Sequence, residues 1–164
     1  MPPQNLLQDW MKATSVTTIM KALNADGAEA RFVGGCVRDA ILNRPINDID
    51  IATEAKPDVV MDLLYRSRIK AIPTGISHGT ITAVVDSQPF EITTLRRDLD
   101  TDGRHAKVIF TNDWQADAER RDFTINTLSL SPNGKIFDYV GGKKDILLGQ
   151  VRFVRNAKTR IKED

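Results

Sequence analysis

The sequence is organised around two short segments that follow each other closely in the chain. They read Arg31-Phe32-Val33-Gly34-Gly35-Cys36-Val37-Arg38-Asp39 and Asn47-Asp48-Ile49-Asp50-Ile51-Ala52-Thr53. The first predicts a strand and a Gly-Gly turn that opens a helix, and the second predicts another strand. Because successive side chains of a strand alternate between faces, Asp48 and Asp50 should point one way while Ile49 and Ile51 enter the core.

Together these segments predict a phosphate site beside a divalent-metal site. Two carboxylates on one face repel each other unless a cation lies between them. Gly34 and Gly35 let the backbone approach a ligand, and the following helix presents unpaired N–H groups to an anion, with Arg38 one turn inside it. Mg²⁺ is typically held by carboxylates and substrate phosphates, so Mg²⁺ is the expected cofactor. The alternative is an edge strand with a solvated acidic face.

The composition is that of one globular domain. The chain has 164 residues, of which 41% are apolar and 27% charged, and this is ordinary for a soluble protein. A net charge of +1 predicts no bulk attraction to nucleic acid, so any RNA contact must use a local basic surface. Cys36 is the only cysteine, which excludes an intrachain disulfide. No membrane span or signal peptide is visible, and a cytoplasmic location is expected.

The middle of the chain predicts a β-hairpin. Residues 80–85 and 90–95 are rich in β-branched side chains, and Asp86-Ser87-Gln88-Pro89 separates them as a turn. We therefore expect an α/β (α+β) fold with a mixed, mostly antiparallel sheet and helices mainly on one face. The strand of Asp48 and Asp50 should lie beside the hairpin.

This arrangement would bring a third carboxylate to the site. Glu91 alternates with Phe90 and Ile92, so it should face the same side as Asp48 and Asp50. There it could be a metal ligand or a neighbour of the ligands. A solvated glutamate on the strand is the alternative.

A second motif, Arg120-Arg121-Asp122-Phe123-Thr124-Ile125-Asn126, follows a predicted helix over residues 113–121 with Asp113 as its N-cap. If the helix continues, Asp122 and Asn126 are four residues apart on one face and can converge on a ribose hydroxyl, while the arginines meet phosphate. A helix end with solvated basic residues is the alternative.

Other segments give simpler expectations. Ser15 could cap a helix that runs to about residue 25, and residues 127–131 and 151–154 are interpreted as strands. The polar stretch from residue 96 to 107 predicts a loop, in which Arg104 could supply a guanidinium to a triphosphate or could simply be solvated.

The glycine-rich segment, the Asp48-Ile49-Asp50 pair and the later arginine motif resemble the head domain of bacterial tRNA nucleotidyltransferases (CCA-adding enzymes) and of bacterial poly(A) polymerases. Both belong to the DNA polymerase β-like nucleotidyltransferase superfamily. The resemblance runs from about Ala13 onward. It implies the polymerase β-like fold and Mg²⁺-dependent transfer of nucleotides from CTP and ATP to the 3′ end of tRNA without a nucleic-acid template. Poly(A) addition is the alternative.

The resemblance also implies residue roles. Asp48 and Asp50 would be the catalytic metal ligands, Gly34, Gly35 and Arg38 would contact the nucleotide, and Asp122 or Arg121 would read the 2′-hydroxyl. The same motif would assign Asn126 to the nucleotide site.

The end of the chain is expected to lie inside a longer enzyme. In the resembled family, an aspartate matching Asp164 acts with an arginine three residues later to read the base, and the chain stops at Asp164. We therefore interpret residues 1–155 as the head domain and 156–164 as the start of a neck helix, without the domains that would grip tRNA. Such a chain should bind triphosphates weakly with little base preference, and tRNA not measurably. A noncatalytic nucleotide- or RNA-binding module is the alternative from another class.

Overall fold

The fold is built on nine strands and five α-helices within the part of the chain that the computed structural model describes, residues 5–99 and 107–154. The strands are β1 Ala30–Val33, β2 Asp50–Thr53, β3 Lys70–Gly75, β4 Thr80–Val85, β5 Gln88–Thr94, β6 Arg96–Leu99, β7 Lys107–Phe110, β8 Ser129–Leu130 and β9 Ile136–Phe137. The helices are α1 Thr14–Leu23, α2 Gly35–Ile41, α3 Pro57–Arg66, α4 Trp114–Glu119 and α5 Gly142–Leu148. Short 3₁₀ helices cover Asp9–Lys12, Ile76–His78 and Thr124–Asn126.

Seven strands form one sheet in the order β3-β4-β5-β2-β1-β8-β9. All neighbouring pairs are antiparallel except β2 and β5, which are parallel. This confirms the predicted mixed, mostly antiparallel sheet and the place of β2 beside the β4–β5 hairpin. The parallel contact joins two strands that are remote in sequence, and the active-site candidates lie at its beginning.

The main core lies on one face of this sheet. Phe32, Ile51 and Ile92 are fully buried there and pack with apolar side chains of α1, α2 and α3. On the second face, Val33, Ala52 and Leu95 form a smaller cluster against Trp114 of α4. The alternation of the strand side chains thus produces the expected arrangement, with helices mainly on one face. None of the helices in the described residues is long and apolar enough to cross a membrane.

The β4–β5 hairpin is closed by two residues in the left-handed region. Asp86 and Ser87 have φ values of 51° and 65°, as a type I′ turn requires, and such turns match the twist of the paired strands. The hairpin predicted from the sequence is confirmed. Its second strand begins earlier than predicted, at Gln88, which pairs with Val85.

Two sequence expectations are wrong at the ends of elements. Ser15 does not cap α1, because the helix already begins at Thr14 and the Ser15 hydroxyl donates instead to Gln88 Oε1 at 3.1 Å. The segment from 96 to 107 is not a loop throughout. Its ends form β6 and β7, which pair antiparallel from Arg96 opposite Phe110. Residues 100–106, which include Arg104, lie outside the described residues.

The strands predicted near the C-terminus are shorter than expected. Within residues 127–131 only Ser129 and Leu130 form a strand, and residues 151–154 contribute a single bridge, between Phe123 and Phe153. Side-chain contacts fix this region instead. The buried carboxylate of Asp145 on α5 accepts hydrogen bonds from the Thr124 hydroxyl and from Arg152 Nε.

The close packing of α5 on the 3₁₀ helix Thr124–Asn126 makes a stability prediction. A Cβ added at Gly142 would overlap the carbonyl oxygen of Thr124 and lie 2.9 Å from its carbonyl carbon. Because backbone atoms cannot move aside like a flexible side chain, Gly142→Ala should lower the free energy of unfolding by about 3 kcal/mol, at the upper end for overpacking. Denaturant unfolding measures this change.

The matched control is Gly149→Ala at the other end of α5. Gly149 has φ +67° and nothing within 4 Å of an added Cβ, so only backbone strain of about 1 kcal/mol is expected. Equal losses for the two variants would contradict the packing described for α5.

Candidate active site

Two carboxylates meet at the start of the parallel contact between β2 and β5. The register places Asp50 opposite Glu91, and Ile49 and Ile51 on either side of Asp50 are buried. Asp48 is exposed. The structure therefore buries Ile49 and Ile51 as expected and brings Glu91 beside Asp50 on the second face of the sheet. The expected strand is shorter than predicted, because β2 begins at Asp50 and Asp48 lies before it.

The negative charge of this cluster is visible in its electrostatics. Burial is the main cause that raises the pKa of Asp50 to about 6, and the neighbouring, hydrogen-bonded Glu91 carboxyl raises it further. Arg121 acts in the opposite direction, and Asp48 adds a smaller rise. A half-buried carboxylate surrounded by like charges is a place where a cation is favoured.

The donor set fits a hard divalent cation. Asp48, Asp50 and Glu91 offer only carboxylate oxygens, and Mg²⁺ is commonly bound by one or two carboxylates together with substrate phosphates. In residues 5–99 and 107–154 no group of three or more histidine, cysteine, aspartate or glutamate side chains is arranged to hold a metal ion. Asp50 and Glu91 are in contact, and a preformed cage of all three carboxylates is not present in that part of the chain.

Gly34 links the carboxylates to a guanidinium. It follows β1, with φ +74° and ψ −141°, a conformation that favours glycine. A Cβ added here would lie 3.8 Å from Asp50 Oδ2 and 4.0 Å from Arg121 Nη1. The space that a side chain would fill is therefore bordered by one carboxylate and one guanidinium, and only glycine leaves it free for a ligand.

Arg38 and Asn126, both expected to bind nucleotide, contact each other. Arg38 Nη1 donates to Asn126 Oδ1 at 3.1 Å, and Arg38 Nε donates to Asp39 Oδ1 at 3.1 Å. The guanidinium also covers Gly35, since a Cβ there would lie 3.3 Å from Arg38 Nη2. This pair ties α2 to the 3₁₀ helix Thr124–Asn126 at the side of the site.

Arg121 reaches the site from the end of α4. Its Nη2 donates to Asp117 Oδ2 at 3.2 Å, while its Nη1 faces the position beside Gly34. Burial lowers the pKa of the Arg121 guanidinium, and the attraction of Asp117 opposes this change. The cation is thus held between the buried Asp117 and the carboxylates of the site.

The expected shared helix face of Asp122 and Asn126 is wrong. The helix α4 ends at Glu119, and Phe123 has an extended backbone with φ −111° and ψ 140°. The Asp122 carbonyl oxygen accepts from Val154 N at 2.9 Å. This contact with a distant segment pulls residues 122 and 123 out of helical geometry, and the local sequence carries no signal for it.

Sequence reasoning missed two buried charged residues near the site. Arg31 lies with its guanidinium carbon 3.9 Å from the ring centre of Trp114 and 3.5 Å from that of Phe137, which fixes α4 on the second face. Asp117 was placed in a helix, but its contacts with Arg120 and Arg121 were not foreseen. The sequence did carry a signal for these contacts, because Arg120 and Arg121 follow Asp117 by three and four residues, the spacing at which side chains of a helix meet. Arg104 and Asp164 lie outside the described residues.

Comparison with protein families decides the relationship. The family described as the poly A polymerase head domain matches residues 30–152. The chain belongs to this family. The matched residues include strands β1 and β2, the carboxylates of Asp48 and Asp50, and the arginine motif of residues 120–126. The candidate site therefore lies within the segment that matches the head-domain family.

The relatives of this head domain include CCA-adding enzymes. The CCA tRNA nucleotidyltransferase 1, mitochondrial, of Homo sapiens is 50% identical over 137 residues, which cover 83% of this chain and 32% of that protein. The CCA-adding enzyme of Bacillus cytotoxicus is 42% identical over 148 residues, 89% of this chain and 36% of that protein. The chain thus spans about a third of the length of these curated relatives.

Solved structures agree. The Bacillus stearothermophilus CCA-adding enzyme in complex with CTP superposes with a TM-score of 0.82 and 35% identity, covering 96% of this chain and 37% of that one. A tRNA nucleotidyltransferase complexed with a primer tRNA and an incoming ATP analog gives a TM-score of 0.65 and 27% identity, covering 84% and 39% of the two chains. The fold is therefore that of a nucleotidyltransferase head.

The charge cluster predicts that Asp50→Asn stabilises the head domain without metal. The pKa of Asp50 is raised in the folded chain, so the ionised carboxylate is less favourable there than in the unfolded chain. The free energy of unfolding therefore falls as the pH rises from the ordinary pKa of an aspartate to about 6. At pH 8 with a chelator, Asp50→Asn should raise the free energy of unfolding by about 1–2 kcal/mol after allowance for solvent screening. Denaturant unfolding is the measurement.

Asp86→Asn is the matched control. It removes an exposed carboxylate from the β4–β5 turn, where asparagine tolerates the positive φ, and a change within about 0.5 kcal/mol is expected. Added Mg²⁺ should then raise the melting temperature of the parent and of Asp86→Asn but not of Asp50→Asn. Destabilisation by Asp50→Asn in the chelator would refute the proposed like-charge cluster.

Proposed function

We propose that this chain is the catalytic head of a Mg²⁺-dependent nucleotidyltransferase that adds nucleotides from CTP and ATP to the 3′ end of tRNA. The observation that carries the proposal is the half-buried Asp50 beside Glu91, with Arg121 facing it across Gly34. This arrangement offers adjacent sites for a cation and for an anion. The CCA-adding enzymes among the relatives support the choice of reaction.

In the proposed reaction the 3′-hydroxyl oxygen of the RNA attacks the α-phosphorus of the nucleotide. A new phosphodiester bond forms, the proton of the hydroxyl passes to solvent, the bond between the α-phosphorus and the oxygen that bridges it to the β-phosphorus breaks, and pyrophosphate leaves. Mg²⁺ bound at Asp48 and Asp50, with Glu91 beside them, would stabilise the charge that develops on the attacking and leaving oxygens.

The remaining residues of the site bind and orient. The Arg121 guanidinium is placed to meet a phosphate, because Nη1 borders the space at Gly34. The Arg38–Asn126 pair keeps α2 in place beside that space. The absence of a side chain at Gly34 lets a phosphate approach the backbone closely. Binding energy at these groups holds the α-phosphate where the hydroxyl can reach it.

Poly(A) addition is the second candidate, because the matching family is itself described as a poly A polymerase head domain. The two activities separate by their products. A protein that carries this head at the length of its relatives should complete tRNA lacking its terminal CCA and then stop. Long tails of adenosine on any RNA end would favour poly(A) addition.

A noncatalytic binding module is a weaker alternative. Such a module needs no cation, and the burial of Asp50 beside Glu91 is costly without one. Mg²⁺ titration separates the two classes, since triphosphate binding by a catalytic head should depend on the cation. Binding of equal strength with and without Mg²⁺ would favour the module.

The first functional prediction concerns the metal ligands. In a protein of the relatives' length, Asp48→Ala or Asp50→Ala should reduce Mg²⁺-dependent incorporation by at least about 10³-fold, because metal stabilisation of the transition state is worth several kcal/mol. Single-turnover incorporation of CTP into tRNA is the assay. The control is Asp58→Ala, which removes an exposed carboxylate from the first turn of α3 and should leave the rate unchanged. Wild-type rates for either site variant would disprove the ligand assignment.

The second functional prediction concerns the sugar. Asp122 is exposed in the head domain. If it hydrogen-bonds the 2′-hydroxyl, Asp122→Ala should lower the preference for CTP over dCTP by about 2- to 10-fold, as the loss of an ordinary hydrogen bond of about 0.5–1.5 kcal/mol implies. The ratio of kcat/KM on the two nucleotides measures it. Glu119→Ala, an exposed neighbour, should keep the parental ratio. An unchanged ratio in Asp122→Ala would assign sugar selection to another residue.

A further inference from the structure

Asp117 is a buried carboxylate that joins three parts of the molecule. Its side chain is 5% exposed. Oδ1 accepts from the backbone N of Arg96 at 2.9 Å and from Arg120 Nε at 3.1 Å, while Oδ2 accepts from Arg121 Nη2 at 3.2 Å. A buried charge of this kind is retained only where partners satisfy it. Asp117 thus connects the beginning of β6 with both arginines of the motif.

We propose that Asp117 is a positioning residue that holds the Arg121 guanidinium at the phosphate-binding part of the site. This inference rests on the proposed function, which assigns a nucleotide to the space beside Gly34. It adds a residue that does not itself reach that space. The two ends of the Arg121 guanidinium carry the argument, because Nη2 is bound to Asp117 and Nη1 borders Gly34.

The neighbourhood of Asp50 explains why such a residue is needed. Arg121 is attracted by Asp50 as well as by Asp117, and Asp50 Oδ2 lies beside the same point at Gly34 as Arg121 Nη1. An arginine without a second carboxylate would be free to pair with Asp50. Such a pair would neutralise the carboxylate proposed to bind metal and would remove a donor from the phosphate. Asp117 keeps the two charges available for different ligands.

Contacts at several points fix the helix α4 that carries Asp117. Its helix α4 is fixed on the sheet by the contact of Arg31 with Trp114, and its N-terminus is capped by Asp113, which accepts from the backbone N of Gln115 and Ala116. The bond from Arg96 N fixes the carboxylate itself. A guanidinium ordered before the ligand arrives loses less conformational entropy on binding.

The substitution Asp117→Asn tests this arrangement selectively. An asparagine can keep an oxygen where Oδ1 accepts from Arg96 N and Arg120 Nε, whereas its NH₂ group replaces Oδ2 and faces the donor Arg121 Nη2. Two donors cannot hydrogen-bond each other. The variant should therefore keep the contacts that hold the fold and lose the one that positions Arg121.

The first measurement needs no ligand. NMR of arginine Nε–Hε groups in the 164-residue chain should show an ordered Arg121 in the parent and a disordered one in Asp117→Asn. The matched control is Asp145→Asn, which alters a carboxylate 2% exposed whose arginine partner is Arg152, and Arg121 should stay ordered there. If Asp117→Asn does not fold, Asp117→Glu, whose carboxylate is displaced by one methylene, must show the same loss. An Arg121 that stays ordered would overturn the proposal.

The second measurement is a double-mutant cycle in which calorimetry measures the binding of CTP with Mg²⁺. Asp117→Asn should weaken binding by about 3- to 10-fold in the parent, the range expected for ordering one long side chain, and by less than about 2-fold in an Arg121→Met background. The same factor in both backgrounds would mean a purely structural role and would overturn the proposal. A parent chain that does not bind CTP would instead refute the proposed function, while the NMR result still decides whether Asp117 orders Arg121.

Discussion

The register between β2 and β5 is the constraint on which the rest of the site depends. It sets Asp50 next to Glu91, although the two strands are far apart in sequence and run parallel. A slip by one residue would turn Asp50 toward the core and bring Ile51 to the second face. Burial of Ile49 and Ile51 fixes the register, so the same apolar residues that stabilise the sheet also force two carboxylates together.

The position of the Arg121 guanidinium follows from the two neighbouring carboxylates of Asp50 and Glu91. Arg121 is the cation drawn to Asp50, and the Asp117 carboxylate binds the other side of its guanidinium. Gly34 leaves the space between Arg121 and Asp50 open. Buried contacts therefore keep the guanidinium and the carboxylates of the site apart. Such a site suits a ligand that carries phosphate groups together with a bound cation.

The parts of this arrangement with a local cause could be predicted from the sequence. Alternation of Asp48, Ile49, Asp50 and Ile51 indicated the two faces of the strand, and the β4–β5 hairpin followed from its β-branched runs and short polar turn. The predicted partnership of Asp122 and Asn126 was wrong, because the bonds of residues 122 and 123 with residues 153 and 154 break the helix. Non-local contacts of this kind, like the burial of Arg31 between two aromatic rings, leave no pattern in the local sequence.

The most direct test of the central claim is to locate a divalent cation on the chain. Mn²⁺ added in small amounts broadens the NMR signals of nearby groups, and the account predicts that the backbone amides of Gly34, Asp50 and Glu91 broaden first. The same titration of Asp50→Asn should lose this effect. Broadening that begins at the exposed carboxylates of α3, or that persists unchanged in Asp50→Asn, would contradict the assignment of the β2–β5 contact as the metal site.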